Sequence, residues 1–252
     1  MSYKEGIVAA ISALNDRTGS SSIAIKKHMQ ANHPTGTKWM NAIFLAALKK
    51  MVFDGHIVHI NGSYKVSAAF VAAFLTNPNC RTVLTEISVF IDDEGANILA
   101  AALGRNSTVN STVRKLDLAC SRDVTSTGWR AIFAHLHSPL SSLEDIDLGG
   151  NTIDDDAANL LANVLVNNTQ LKILNLSCIA ITNDGWQALF DALQSPRCML
   201  QELNLSHNGF NDEKVTHLAN SLASNCQLRH LDLSFNNVTA AGWRAFATFV
   251  LQ

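Results

Sequence analysis

Apolar residues in the first seventy positions recur at helical spacing three times and then switch to strict alternation. Ile7, Val8, Ile11 and Leu14 form the first stripe of period 3.6, opening at Ser2-Tyr3. Arg17-Thr18-Gly19-Ser20-Ser21-Ser22 reads as a turn and helix N-cap ahead of Ile23, Ile25, His28 and Met29. His33-Pro34-Thr35-Gly36 breaks the chain again. The longest stripe follows, through Trp39, Ile43, Phe44, Ala47, Leu48, Met51 and Val52, and closes at Asp54-Gly55. From His56 to Val66 apolar and polar positions alternate around Asn61-Gly62, a hairpin signal because both turn residues tolerate positive φ. Three helices and a hairpin predict a small α+β winged helix.

A longer period governs the rest of the chain. The pattern L-x-x-L-x-L-x-x-N-x-I appears as Leu143-Ile146-Leu148-Asn151-Ile153 and Leu171-Leu174-Leu176-Ile179-Ile181. It returns as Leu200-Leu203-Leu205-Asn208-Phe210 and Leu228-Leu231-Leu233-Asn236-Val238, with a looser copy from Val113 and a shortened one from Leu84. The six starts lie 28 to 30 residues apart, and each unit runs on into a segment of helical period. One strand and one helix per unit cannot bury their apolar faces alone, so the units must stack. Trp129, Trp186 and Trp243 fall 57 residues apart, so two unit types alternate. These residues match leucine-rich repeats, and the long alternating units resemble the ribonuclease-inhibitor class over about residues 80–252. The resemblance implies an α/β solenoid, a horseshoe of about six repeats with a curved parallel sheet. The whole reads as a multidomain chain: residues 1–69 a winged helix, 70–82 a linker and N-terminal cap of the array, and 83–252 the repeats. Phe70, Val71 and Phe74 are the apolar residues expected to pack the cap on the first repeat.

Composition changes this picture in one respect. The 252 residues are 47 % hydrophobic with a net charge of −2, which excludes a disordered or collagen-like chain. The near-neutral mean conceals a division. Residues 1–70 hold eight basic and three acidic residues, a net +5, while residues 71–252 hold eleven basic and eighteen acidic, a net −7. No signal peptide or membrane span is expected, since Lys4 and Glu5 break the first apolar run. Five scattered cysteines without CxxC pairing read as reduced packing residues in an intracellular protein, and the Asn-x-Ser/Thr triplets as by-products of the repeat.

On the array, positions between the framework leucines are expected on the concave face. One column holds Asp117, Asp147, Asn175, Asn204 and Asp232, and beside it stand Lys115, Asp145, Glu202 and His230. Polar side chains are required on any solvated strand face; here they also make an acidic surface on which a basic segment of an unknown protein partner could dock. Asp92-Asp93-Glu94 and Asp154-Asp155-Asp156 precede repeat helices, where carboxylates serve as caps rather than metal ligands. His135 and His137 are expected at the surface. The helix carrying Trp243 stops without a polar capping unit, so the array is expected either to continue or to meet a partner there. No nucleophile with a base, acid/base pair, cofactor fingerprint, metal set or small-molecule pocket is legible, which argues against an enzyme.

SYKEGIVAAISAL, GSSSIAIKKHM, LAALKKMVFDG and GSYKVS, in this order and spacing, resemble the globular domain of linker histones of the H1/H5 type over residues 2–68. The resemblance implies binding of double-stranded DNA or nucleosomes. It places Arg17, Lys27, Lys49 and Lys65 at the family's basic sites, with Lys26 and Lys50 adjoining. Asn15, Leu45, Asn61 and Ser22 depart from basic residues usual in the family, the wing is shorter, and the acidic solenoid stands where the family carries a Lys-rich tail. The expectation is a nuclear, non-enzymatic adaptor without cofactor, binding DNA through one module and protein through the other. The alternatives are a cytoplasmic leucine-rich-repeat scaffold whose winged helix contacts protein, or a GTPase-activating or inhibitor-like regulator.

Overall fold

A computed structural model describes residues 3–14, 20–32, 41–54, 56–60, 63–76, 85–104, 112–138, 141–223 and 227–250. The N-terminal part runs α1 (Tyr3–Leu14), β1 (Ser20–Ser21), α2 (Ser22–Ala31), α3 (Asn41–Phe53), β2 (Ile57–Ile60) and β3 (Ser63–Ser67), followed by α4 (Ala68–Leu75). Ser21 caps α2 by accepting the Ala24 N–H at 3.2 Å, as the serine run predicts. Ile7, Ile25, Phe44, Leu48, Met51 and Ile57 are fully buried and form the core of this part. Ile23 and Ile43, expected inside, are 77 % and 44 % exposed. The reason is angular: at about 100° per residue, Ile25 and the Phe44–Leu48–Met51 row claim the inward faces, and Ile23 is turned some 200° from Ile25.

The remainder alternates strand and helix: β4 (Glu86–Phe90), α5 (Asp93–Leu103), β5 (Lys115–Asp117), α6 (Ser126–His137), β6 (Asp145–Asp147) and α7 (Asp155–Asn167). It continues with β7 (Ile173–Asn175), α8 (Asn183–Leu193), β8 (Glu202–Asn204), α9 (Asp212–Leu222), β9 (His230–Asp232) and α10 (Ala240–Val250). Strands β4 to β9 pair in parallel and in sequence, aligning Lys115 with Asp145, Asp145 with Ile173, Ile173 with Glu202, and Glu202 with His230. Leu116, Ile146, Leu174 and Leu203, the central residues of successive strands, are buried against the helix layer. Strand and helix per unit therefore follow the sequence reading.

Sequence spacing did not disclose how the two parts meet. β3 pairs antiparallel with β2, and Ser63 and Tyr64 pair with β1, a strand the serine run gave no reason to expect. β3 also pairs in parallel with β4, Val66 with Val89 and Ser67 with Phe90. The hairpin and the repeat strands thus form one nine-stranded sheet among the described residues. Ser67 accepts the Phe70 N–H at 3.2 Å and starts α4 directly. Val71 and Leu75 are buried, α4 packs on α5, and the apolar core runs unbroken from Ile7 through Val66, Val71 and Val89 into Leu99 and beyond. The side chain of Phe74, the Asn61-Gly62 turn and Leu84 lie outside the described residues.

At the far end of the array burial falls away. Trp129 and Trp186 are buried and stack on Phe133 and Phe190, whereas Trp243 at the same repeat position is 43 % exposed. No helix of the structure is long and apolar enough to cross a membrane, among the described residues.

Candidate binding surfaces

The expected concave column proves to be a structural device. Asp117, Asp147, Asn175, Asn204 and Asp232 close successive strands, and each turns a side-chain oxygen back on its own chain. The oxygens accept the N–H groups of Ala119, Gly149, Ser177, Ser206 and Ser234, at 2.8–2.9 Å. These are Asx turns, which reverse the chain after three strand residues. The residues directly after these donors, Cys120, Gly150, Cys178, His207 and Phe235, all have positive φ, between 55° and 72°. The second oxygens are also occupied in part: Asp117 accepts Ser88 Oγ at 2.6 Å and Asp147 accepts Asn175 Nδ2 at 2.9 Å. Asp117 is only 3 % exposed and presents no surface to a partner, a correction to its place among the docking residues. A hydrogen-bonded carboxylate favours its charged form, and Ser234, with its N–H and hydroxyl on Asp232, holds that carboxyl below its ordinary range.

The adjoining row faces outward. Lys115 lies between Glu86 and Asp145, its ammonium 3.5 Å from each. Burial opposes its charge, but the two carboxylates prevail and keep its pKa above the ordinary value. Burial raises Asp145, with Lys115 opposing. Across β5 to β9 a shallow groove of about 420 Å³ opens on this face, lined by Lys115, Asp145, Asp147, Glu202, His230 and Asp232 among others. The structure thus brings the predicted array residues together along one face, but only this row is open to contact along its whole length. Just upstream, Glu144 takes Lys172 at 2.7 Å and Arg114 at 3.4 Å, and its pKa is lowered chiefly by the Lys172 bond.

The acidic runs cap helices, as their position predicts. Asp92 accepts Gly95 N–H at 2.8 Å and Asp154 accepts Ala157 N–H at 2.9 Å. Their neighbours do more, reaching across to the next unit. Asp93 accepts both the N–H and hydroxyl of Thr125 and the N–H of Gly128; Asp155 accepts the Thr182 hydroxyl; Asp212 accepts the N–H and hydroxyl of Thr239. The recurring T-x-x-G-W string is the other half of this clamp. An added Cβ at Gly128, Gly185 or Gly242 would lie 2.3–2.7 Å from the facing carboxylate oxygen. Sequence reading noted the tryptophans and missed the threonine and glycine ahead of them, although the same 57-residue period carries all three.

Two further residues differ from expectation. His135 is 8 % exposed rather than at the surface, and burial pushes its pKa down, while His137 is exposed. Its position, one turn-spacing after Ile132, already marked the inward face. Cys198 is buried, as expected of a packing cysteine, whereas Cys178 is exposed at one of the left-handed turns.

On the N-terminal part, Lys27 on α2 and Lys49 on α3 are exposed, and Lys26 is half-buried. Lys50 is exposed and pairs with Asp54 at 3.1 Å. Lys65 lies on β3 opposite Val58; its side chain, and Arg17 and Asn15 altogether, lie outside the described residues. Leu45 is exposed on α3.

Comparison with known proteins agrees with this architecture. Residues 1–67 match the model of the linker histone H1 and H5 family. Residues 140–162, 198–213 and 224–247 match a leucine-rich repeat model. A histone H1 from Triticum aestivum is 39 % identical over 69 residues, 27 % of this chain and 29 % of the relative. The NACHT, LRR and PYD domains-containing protein 9 of Bos taurus is 36 % identical over 107 residues, 42 % of this chain. The chain spans about a tenth of that relative's length, 11 %. Among solved structures, the leiomodin-1 actin-binding site 2 aligns with a TM-score of 0.45 at 23 % identity, covering 52 % of this chain and 75 % of that one. The chain therefore carries a linker histone H1/H5 domain at residues 1–67 and leucine-rich repeats within residues 140–247.

Proposed function

We propose that the chain is a nuclear, non-enzymatic adaptor whose linker histone domain holds duplex DNA or a nucleosome while its repeats hold a protein. The observation that carries this reading is the linker histone match on a segment whose net charge is +5. In this reading residues 1–69 are a winged helix, 70–82 cap the array and 83–252 curve as a horseshoe. DNA is held by neutralising phosphates through Arg17, Lys27, Lys49 and Lys65, with Lys26 and Lys50 beside them and no base readout. The exposure of Lys27 and Lys49 supports it; Lys50 must first release Asp54. On the array, Asp145, Glu202 and Asp232 favour a basic protein segment, with Lys115 and His230 setting its register and Asp147, Asn175 and Asn204 at its edge.

The test is a titration of duplex DNA with the full chain at rising salt. Four phosphate contacts predict a log–log slope of about −4, at roughly −0.9 per phosphate. The variant combining Lys27→Glu, Lys49→Glu and Lys65→Glu is expected to lose binding. Absence of salt-dependent binding, or a triple variant that binds like the parent, removes the proposal.

One observation favours a second reading. The array's likeness to a NACHT, LRR and PYD domains-containing protein supports a cytoplasmic scaffold or regulator in which the linker histone domain contacts protein instead. Localisation of the tagged full chain, together with the DNA titration, separates the two.

A further inference from the structure

The turns that end the strands hold one residue per unit in the left-handed region: Cys120, Gly150, Cys178, His207 and Phe235. Glycine adopts this backbone freely, whereas a bulky side chain adopts it at a cost. At Phe235 burial does not offset that cost. Its side chain is 76 % exposed, and Cys178 and His207 at the same position of earlier units are exposed as well. The position faces solvent along this stretch of the array, so Phe235 differs from Trp243, whose counterparts Trp129 and Trp186 are buried.

What the Phe235 ring does touch is His207. The two rings lie 9° from parallel with 4.3 Å between their centres. Asp232 closes β9 just ahead of Phe235 and is exposed. Its carboxyl is held low first by Ser234 and to a smaller degree by His207, so carboxylate and imidazole are neighbours. A carboxylate offers about four acceptor sites; the Ser234 N–H and hydroxyl engage Asp232, and its remaining sites face solvent. The turn thus presents an open aromatic ring with an accessible carboxylate beside it.

Charge selects the occupant. The sheet-face groove that Asp232 lines also carries the carboxylates of Asp145, Asp147 and Glu202. Lys115 is the only lysine or arginine in its lining among the described residues, and Glu86 and Asp145 already hold its ammonium. His230 is the other titratable group of the lining, and Arg229 stands at the opposite end of β9 from Phe235. The surplus of carboxylates favours a cation. Among side-chain cations the guanidinium fits best, because it is planar and weakly hydrated. It can stack on a ring and still direct its N–H groups in plane to a carboxylate, which an ammonium cannot do.

We infer that Phe235, stacked on His207 and flanked by Asp232, is a binding site for an arginine side chain of a protein partner. The guanidinium lies on the Phe235 ring and pairs with Asp232. The site rests on the reading of the array as the holder of a basic segment, and names the residue type selected at one end of that segment.

The experiment measures binding of fluorescein-labelled hexa-arginine and hexalysine, equal in charge, to the full chain by fluorescence anisotropy. It is run at pH 8, above the range in which imidazoles ordinarily carry charge. Hexa-arginine is expected to bind about fivefold tighter. Phe235→Leu and Phe235→Asn should each remove that preference while leaving hexalysine binding within about twofold, and Phe235→Trp should retain it. Asparagine suits the left-handed turn, so Phe235→Asn is expected to melt no lower than the parent, which separates loss of the ring from loss of the fold. Equal affinity of the parent for the two peptides overturns the arginine site and leaves the basic-segment reading standing. A preference that persists in Phe235→Leu and Phe235→Asn, or equal loss of both peptides in these variants, overturns it likewise. Failure of the parent to bind either peptide overturns the site and the basic-segment reading together.

Discussion

Asp93, Asp155 and Asp212 each stand one residue inside a helix that another residue already caps, and each serves the helix of the next unit. The clamp joins a carboxylate to a threonine and leaves space for no side chain at the glycine three residues on. At Gly185 an added Cβ would meet Ile181 Cγ2 at 2.5 Å and Asp155 Oδ1 at 2.7 Å. Gly185→Ala is therefore expected to destabilise the fold by about 1–3 kcal/mol, read as a lower urea midpoint with unchanged slope. Asp93 adds a pH dependence. Its Thr125 and Gly128 bonds hold its carboxyl below the ordinary value of 3.8. The folded state thus favours the ionised form, and the clamp contributes in full above pH 3.8 and is lost as pH falls through the lower folded value. Denaturation across pH should show Asp93→Asn less stable than the parent at neutral pH, with the gap closing in acid. A gap that stays constant would mean that the charge of Asp93 plays no part.

At the scale of strands and helices, the framework leucines specify burial while asparagines specify the turn between strand and helix. Asn208 donates to Leu176 O and Leu205 O and accepts the Ile179 N–H, bridging two units at once. Asn151 and Asn236 make the same pair of donor bonds in their units. Asn208→Ala leaves these groups without partners and is expected to cost about 2–3 kcal/mol. Hydrogen exchange should then quicken at Ile179 and in β7 and β8, and protection unchanged there would count against the bridge. These elements were legible because their periods are short and local: a leucine every second or third residue in the strand, and a 3.6-residue stripe in the helix. The Asx turns were not read as such. A polar residue at a strand position looks the same whether it faces a partner or folds back on the next N–H but one. Asp117 and Asp145 stand in adjacent columns and both read as polar strand residues, and the three-dimensional turn after Asp117 shows which of the two folds back.

For the molecule as a whole, the pairing of Val66 with Val89 and of Ser67 with Phe90 makes one sheet of two sequence patterns. The core crosses that seam through Val66, Val71 and Leu75. Thermal unfolding of the full chain is therefore expected to be a single transition, with calorimetric and van't Hoff enthalpies equal and probes in both parts coincident. Two resolved transitions would show that the seam is too weak to couple them. The seam also bears on the proposed adaptor: if it couples the two parts, a protein held by the array and DNA held by α2 and α3 keep one mutual orientation.

The division of charge into +5 and −7, the three N-terminal helices, the hairpin and the strand-and-helix units follow from the sequence, because each depends on neighbours a few residues away. The family resemblance of the first 67 residues was likewise contained in four short strings. What tertiary structure alone decided is where separate patterns touch: the β3–β4 seam, the inter-unit carboxylate clamps, and the Ser88 bond that helps to withdraw Asp117 from the surface. Each joins residues 20 to 35 positions apart, and contacts at that range are set by how layers stack rather than by the local periodicity that builds them.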